Sequence, residues 1–308
     1  KPAIKLTAGA RVGIYSTGSY HPLYLDPFVT LAWQTRAGDF TFHWGGYTQP
    51  LHQVGFSDIG LASNFWLTAQ KSLPLQRSKT FSISWLHSLG KGDYEISADL
   101  YYKVLSGASE FDGTVITMLN SGYDCYEHIL TGEGRNYGAG IIASRVVGKL
   151  TGSVSLSWGR AQRRFPTLGN HWFTAAVEQR LGSTLQLNYK LSRAVALNAV
   201  WTYATGRPVT PVEALYMVGE NVISVYGERN SRTLPSYHRL DLSATWNFKL
   251  RCFPKIDNSI VLSVINAYGH RNVSMVTFGY DAAEGVFSRQ DVVSLYRFLP
   301  SISYTVRF

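Results

Sequence analysis

Polar and apolar residues alternate one by one along most of this chain. Between Tyr94 and Val104, the residues Tyr94, Ile96, Ala98, Leu100, Tyr102 and Val104 share one parity, and Glu95, Ser97, Asp99 and Lys103 share the other. Leu240, Leu242, Ala244, Trp246, Phe248 and Leu250 alternate in the same way with Arg239, Asp241, Ser243, Thr245, Asn247, Lys249 and Arg251. The C-terminal stretch repeats it, with Ile302, Tyr304, Val306 and Phe308 against Ser301, Ser303, Thr305 and Arg307. A period of two puts each set on one face of a strand, whereas a helix would scatter it around the circumference. The pattern predicts twelve strands, over 4–16, 27–36, 39–48, 79–89, 93–105, 137–147, 151–163, 183–191, 194–205, 237–250, 258–268 and 295–308. Most exceed the roughly 5–6 residues of a globular strand. They suit the roughly 9–11 residues that a tilted strand needs to cross a bilayer.

The connections sort by length. Ala37–Gly38, Gly90–Gly92, Gly148–Leu150 and Ser192–Arg193 are tight, and Cys252–Asp257 is only a little longer. Between them fall long segments: 17–26, 50–78, 106–136, 164–182, 206–237 and 269–293. A soluble sandwich has no reason to alternate short and long loops. An outer-membrane barrel does, with short periplasmic turns and long extracellular loops. The expected fold is therefore all-β, one antiparallel transmembrane barrel domain over 1–308 in a Gram-negative outer membrane.

Composition agrees. The chain is 45% hydrophobic and 14% aromatic but only 16% charged, which excludes a disordered polymer. No run reaches the roughly 18 consecutive apolar residues of a membrane helix. The net charge is +9, yet Lys and Arg are scattered without a dense cluster. That favours lipid headgroups or anionic solutes over nucleic acid as partners. Cys125 falls in a long loop and Cys252 in a short turn, on opposite sides of the membrane, too far apart for a disulfide. The chain lacks a start Met and a leader pattern at Lys1–Ala3, as expected of a processed protein or part of a longer one.

Candidate chemistry is sparse. The eight histidines form no HExxH or other metal pair, and no cofactor or metal is expected. A rim phospholipase would need Ser and His on one face. His87–Ser88 fails because neighbours on a strand point apart, and Ser236 with His238 is the one remaining pair. The expectation is that the chain is not an enzyme. Inward charges at Arg11, Glu95, Asp99, Lys103, Arg145, Arg239 and Asp241 would pair with material inside a filled barrel, or set ion selectivity in an open one. Gly138 and Gly140 would relieve crowding in the lumen. Loop aromatics Phe65, Trp66, Tyr123, Tyr126, Trp172, Tyr216 and Tyr226 are candidate ligand contacts.

Several motifs together carry a family resemblance. Trp201–Thr210 reads WTYATGRPVT, Gly227–Ser243 reads GERNSRTLPSYHRLDLS, Ser263–Asn272 reads SVINAYGHRN, and the chain ends RFLPSISYTVRF. Upstream, WGGYTQPLH at Trp44–His52, DLYYKV at Asp99–Val104 and RRFP at Arg163–Pro166 occur in the order of earlier barrel strands. Together they resemble the C-terminal half of the barrel of a TonB-dependent outer-membrane receptor. The resemblance implies a 22-stranded barrel, an N-terminal plug and a TonB-binding segment, and no such plug or segment is found in this chain. It implies energised uptake of a siderophore, cobalamin, glycan or peptide. It also implies partners: TonB through the N-terminal region, the barrel-assembly machinery with Phe308 as its signal, and a surface lipoprotein or other outer-membrane subunit. A self-closed, porin-like channel of twelve strands and an accessory barrel subunit are the other readings.

Overall fold

A computed structural model describes residues 3–55, 64–112, 124–218, 221–281, 286–293 and 297–308. In chain order the strands are β1 (Ala3–Ile14), β2 (Leu23–Thr35), β3 (Gly38–Gln49), β4 (Leu51–Gly55), β5 (Asn64–Thr68), β6 (Gln76–Leu89), β7 (Tyr94–Phe111), β8 (Ile129–Arg145), β9 (Leu150–Arg164), β10 (Phe173–Thr174), β11 (Leu181–Lys190), β12 (Val195–Ala204), β13 (Pro208–Val209), β14 (Val212–Val218), β15 (Asn221–Tyr226), β16 (Arg232–Thr233), β17 (Tyr237–Leu250), β18 (Phe253–Ile265), β19 (Val273–Asp281), β20 (Val286–Val293) and β21 (Leu299–Arg307). One antiparallel sheet runs β1-β2-β3-β6-β7-β8-β9-β11-β12-β17-β18-β21, so each main strand pairs with the next main strand in sequence. Among the described residues β1 pairs only with β2, and β21 only with β18.

Register puts the alternation on two continuous faces. Leu6, Leu31, Phe42, Ile83, Leu100, Ala139 and Trp158 lie in one row across seven strands. One residue along, Thr7, Thr30, His43, Ser82, Tyr101, Gly138 and Gly159 form the matching row on the opposite face. The first face is apolar and open: Ile4, Leu6, Leu25, Leu100, Leu262 and Ile302 are all exposed. Such a surface would aggregate in water, whereas lipid tails satisfy it. The outward face therefore meets the bilayer and the polar one lines the lumen.

Aromatic side chains gather on the outward face. Tyr102, Tyr137 and Trp158 stack at successive centroid distances of 6.2 and 5.9 Å, and Trp201 stacks on Tyr203 at 6.1 Å. Towards the short-turn end, Trp33 meets Phe40 at 5.7 Å and Trp246 meets Phe248 at 4.7 Å. Amphipathic rings of this kind settle at membrane–water interfaces.

The twelve predicted strands all occur, with shifted ends. β7 extends to Phe111 and β8 begins at Ile129, so Gly132 and Gly134, expected in the long connection, are strand together with Gly138 and Gly140. At Gly138 a Cβ would lie 2.5 Å from the Trp158 carbonyl oxygen and 2.9 Å from the Tyr101 ring; only glycine leaves room for Tyr101 in the lumen. The short hairpins β4–β5, β13–β16, β14–β15 and β19–β20 inside the long connections have no predicted counterpart. Cys125 and Cys252 are both free, in the β7–β8 and β17–β18 connections respectively, at opposite ends of the sheet.

Candidate ligand-binding mouth

The apolar residues that are buried sit almost entirely at the long-loop end. Val54, Leu67, Leu73, Phe111 and Ile129 form one cluster, with Cys125 and Tyr126 packed on it. The β4–β5 hairpin thus folds down on the tops of β7 and β8. His52, fully buried in this hairpin, makes a 3.0 Å hydrogen bond from Nε2 to the Pro74 carbonyl. Its Nδ1 has no hydrogen-bond partner among the described residues. Burial pushes the His52 pKa below its ordinary value, and the Pro74 carbonyl only partly offsets this.

Hydrogen bonds link the loops in sequence around the mouth. Leu75 N–H donates to the Tyr20 hydroxyl at 3.3 Å. Tyr126 donates to the Thr68 carbonyl at 3.3 Å. Arg229 donates to the carbonyls of Phe111 at 2.9 Å and Asp112 at 3.2 Å, and lies 3.5 Å from the Glu110 carboxylate. Asn230 donates to the Thr174 carbonyl at 2.8 Å, and Arg207 to the Ser274 carbonyl at 2.8 Å. His128 faces Asp112 at 3.0 Å. Each bond joins a different pair of loops except the last, so the mouth is a connected collar.

Below the collar lie the inward charges. Arg11 grips the buried Asp26 carboxylate through Nε (3.1 Å) and Nη2, while Thr48 donates to it from its N–H (3.1 Å) and hydroxyl (2.6 Å). Asp26 completes the Arg11 site although it falls in a predicted loop; its signal is opposite charge across a hairpin. Arg239 pairs with Asp241 at 2.8 Å, and Asp241 accepts a 2.9 Å bond from the Asn266 N–H. Asn266, fully buried with φ +57°, in turn holds His270 through a side-chain–backbone pair at 2.9 and 3.1 Å. Glu95, Asp99 and Lys103 share the lumen parity of β7, and Asp99 lies over Gly140. Arg145 is different: it sits opposite Tyr94 on the outward face, 5.7 Å over that ring, and donates to the Val147 carbonyl at 3.2 Å. The chain runs towards the turn here, and β8 alternates with its lumen residues at even positions, Gly138 and Gly140 among them.

The loop aromatics are dispersed. Trp66 is exposed on β5, and Phe65 pairs with Val54 in the same hairpin. Tyr126 packs against that hairpin. Tyr216 and Tyr226 are exposed on the β14–β15 hairpin. Trp172 lies against Arg135 and Arg164 on the outward side of β8 and β9. Tyr123 lies outside the described residues. Phe308 follows β21 and is fully exposed.

The rim residues considered for hydrolysis are separated. Ser236 lies 3.3 Å from the Tyr203 hydroxyl, whereas His238 lies 2.9 Å from the Tyr268 hydroxyl. His238 instead stacks on His270 with ring centroids 3.6 Å apart. The His270 pKa is lowered by burial first and by the facing His238 second. Among the described residues no three His, Cys, Asp or Glu side chains converge on a metal position.

No protein-family model matches the chain. No curated protein matches it either. Solved structures do. The FrpB iron transporter from Neisseria meningitidis superposes with a TM-score of 0.53 at 13% identity, covering 99% of this chain and 44% of that one. The ferric-catecholate import receptor Fiu from K12 E. coli gives 0.60 at 11% identity, covering 99% and 42%. The chain thus spans under half the length of either. The outward apolar face, the sorted connections and these superpositions establish one fold: this chain forms an antiparallel sheet of the outer-membrane β-barrel type.

Proposed function

We propose that the chain forms part of the wall and extracellular mouth of a receptor that imports a scarce nutrient across the outer membrane, energised through TonB. The observation that carries this reading is that, among the described residues, β1 pairs only with β2 and β21 only with β18. In lipid each unsatisfied backbone group costs several kcal/mol, so both edges call for further strands. Completion to a receptor-sized barrel supplies them, and the sizes of the two superposed transporters support it. A self-closed channel of twelve strands would instead need β1 to pair with β21.

In this reading the collar of linked loops receives the ligand, and Trp66, Tyr126, Tyr216 and Tyr226 supply aromatic surface around it. The inward charges Arg11, Glu95, Asp99, Lys103, Arg239 and Asp241 face a plug. TonB engages a region outside this chain, a surface lipoprotein covers the collar, and Phe308 marks the barrel for assembly. The protein acts by transport and not by catalysis. A ferric chelate is the first ligand to test, because both superposed proteins are described as iron or ferric-catecholate importers.

Uptake of a radiolabelled ferric catecholate by cells expressing the full-length protein tests this, with cobalamin, glycan and peptide probes in parallel. Saturable uptake of one probe, abolished by loss of TonB, is expected. Uptake that persists without TonB and rises linearly with concentration would overturn the reading in favour of a passive channel. No uptake of any probe would favour an accessory subunit.

A further inference from the structure

On the outward face β6, β8 and β9, with β7 between the first two, each change from aromatic to basic within one rung of each other. Moving towards the long loops, β6 passes from Phe81 to Lys79 and Arg77. On β8, Tyr137 gives way to Arg135, and on β9, Trp158 gives way to Arg160 and Arg164. Register aligns them in rungs: Lys79 with Val104, Arg135 and Gln162, then Arg77 with Ser106, Glu133 and Arg164. Strands lie about 4.8 Å apart and rungs of one face about 6.6 Å apart, so the cations from β6 to β9 share a patch about 14 Å across the strands.

The patch is organised as well as charged. The Arg135 guanidinium is fixed by a 2.7 Å bond from Nε to Gln162 and stacks 4.3 Å from the Trp172 ring. The Arg164 guanidinium approaches the same ring at 4.9 Å and pairs with Glu133. Arg160 and Arg180 share the buried Glu178 carboxylate, at 3.2 Å each. Six cations thus face two carboxylates, and Arg77, Lys79 and Arg135 have no carboxylate partner among the described residues. A planar guanidinium held by its Nε and stacked on an aromatic keeps its Nη donors aimed for an anion.

Height decides the anion. Tyr102 and Tyr137 mark the interface; Arg160 shares their rung, and the rungs of Lys79 with Arg135 and of Arg77 with Arg164 follow towards the long loops, on the outward face and away from the lumen. We propose that this patch binds the phosphate of a lipid headgroup in the outer leaflet, with Arg135 and Trp172 at its centre. The assignment rests on the bilayer-spanning fold alone and is independent of what the receptor imports.

The test titrates the full-length protein in detergent with phosphatidic acid, and with phosphatidylcholine of the same acyl chains, by native mass spectrometry. Each basic residue near an anionic surface contributes about fivefold. Combined Arg77→Gln, Lys79→Gln and Arg135→Gln should therefore weaken phosphatidic acid binding by roughly a hundredfold and leave phosphatidylcholine unchanged. Equal charge removal at the turn end, by Lys91→Gln, Lys149→Gln and Arg193→Gln, should have little effect. If the triple variant fails to assemble, the exposed Arg77→Gln and Lys79→Gln singly carry the test. The proposal fails if the patch variants bind as the parent does, or if the turn-end variant loses as much. It fails equally if inorganic phosphate alone binds the patch as tightly as the lipid, which would make it a small-anion site.

Discussion

Arg229 donates from Nη1 to the Phe111 carbonyl at 2.9 Å, although 118 residues separate them in sequence. This bond ties the β12–β17 connection to the top of β7. Arg229→Ala removes three contacts at once and leaves the neighbouring Glu110 carboxylate less compensated. Loss of charge-assisted bonds of this kind costs about 1.5–3 kcal/mol. Amides of 205–218 and 221–236 should exchange at least about tenfold faster in the variant, while those of β17 keep their protection, as hydrogen-exchange mass spectrometry will measure.

The β4–β5 hairpin should respond to acid through His52. Because its folded pKa lies below the ordinary value of about 6.5, the folded hairpin prefers neutral imidazole. Its stability is fully present above about 6.5 and is lost as pH falls from there through the depressed pKa. Exchange in 51–55 and 64–68 should rise below about pH 6.5 in the parent. His52→Gln keeps a donor for the Pro74 carbonyl but cannot titrate, so it should remove that pH dependence; a persistent one would assign it elsewhere.

Asp26 accepts four hydrogen bonds, two from Arg11 and two from Thr48. Asp26→Ala leaves Arg11 uncompensated beside the lumen wall. The loss strips Thr48 of its acceptor and Arg11 of its carboxylate, and solvent around the 58% exposed Arg11 side chain softens it. The thermal midpoint of the full-length protein, read from heat-modified gel mobility, should fall, and the double variant Arg11→Ala with Asp26→Ala should recover part of the loss.

Gly138→Val should block assembly more strongly than Gly134→Val. At Gly138 the new Cβ meets backbone, the Trp158 carbonyl oxygen at 2.5 Å, whereas at Gly134 it meets side-chain tips, Arg163 Nη1 and Leu105 Cδ1, each at 2.9 Å. Side-chain tips can swing aside and a strand backbone cannot. The folded fraction in isolated outer membranes discriminates the two.

The two free cysteines report orientation. A membrane-impermeant maleimide added to intact cells should label Cys125 variants that expose the loop, and leave Cys252 in the opposite turn unlabelled until the envelope is opened. Labelling of Cys252 in intact cells would invert the assignment of long loops to the outside.

Much of this molecule is written locally. The period-two alternation of β7 and β17 assigned both faces, because parity along a strand is a covalent property that needs no partner. Turn residues such as Gly90 and Gly92, both at positive φ, marked the tight ends, and loop parity then told one side of the membrane from the other. What parity alone left open was position near strand ends and inside loops. Arg145 was expected in the lumen, yet the register of β8 against β7 sets it beside Tyr94 outside. Asp26 fell in a predicted loop and Asn266 inside a predicted strand that ends at Ile265; both became anchors of lumen charges, since their partners, Arg11 and Asp241, arrive from another strand. Trp172 was one aromatic among several in the loops; only the pairing of β8 with β9 brings Arg135 and Arg164 to it. Within the strand interiors, the sequence by itself determined which residues meet lipid and which meet the lumen. The tertiary structure decided which of them meet each other, because cross-strand register and loop closure are set by pairings many residues apart.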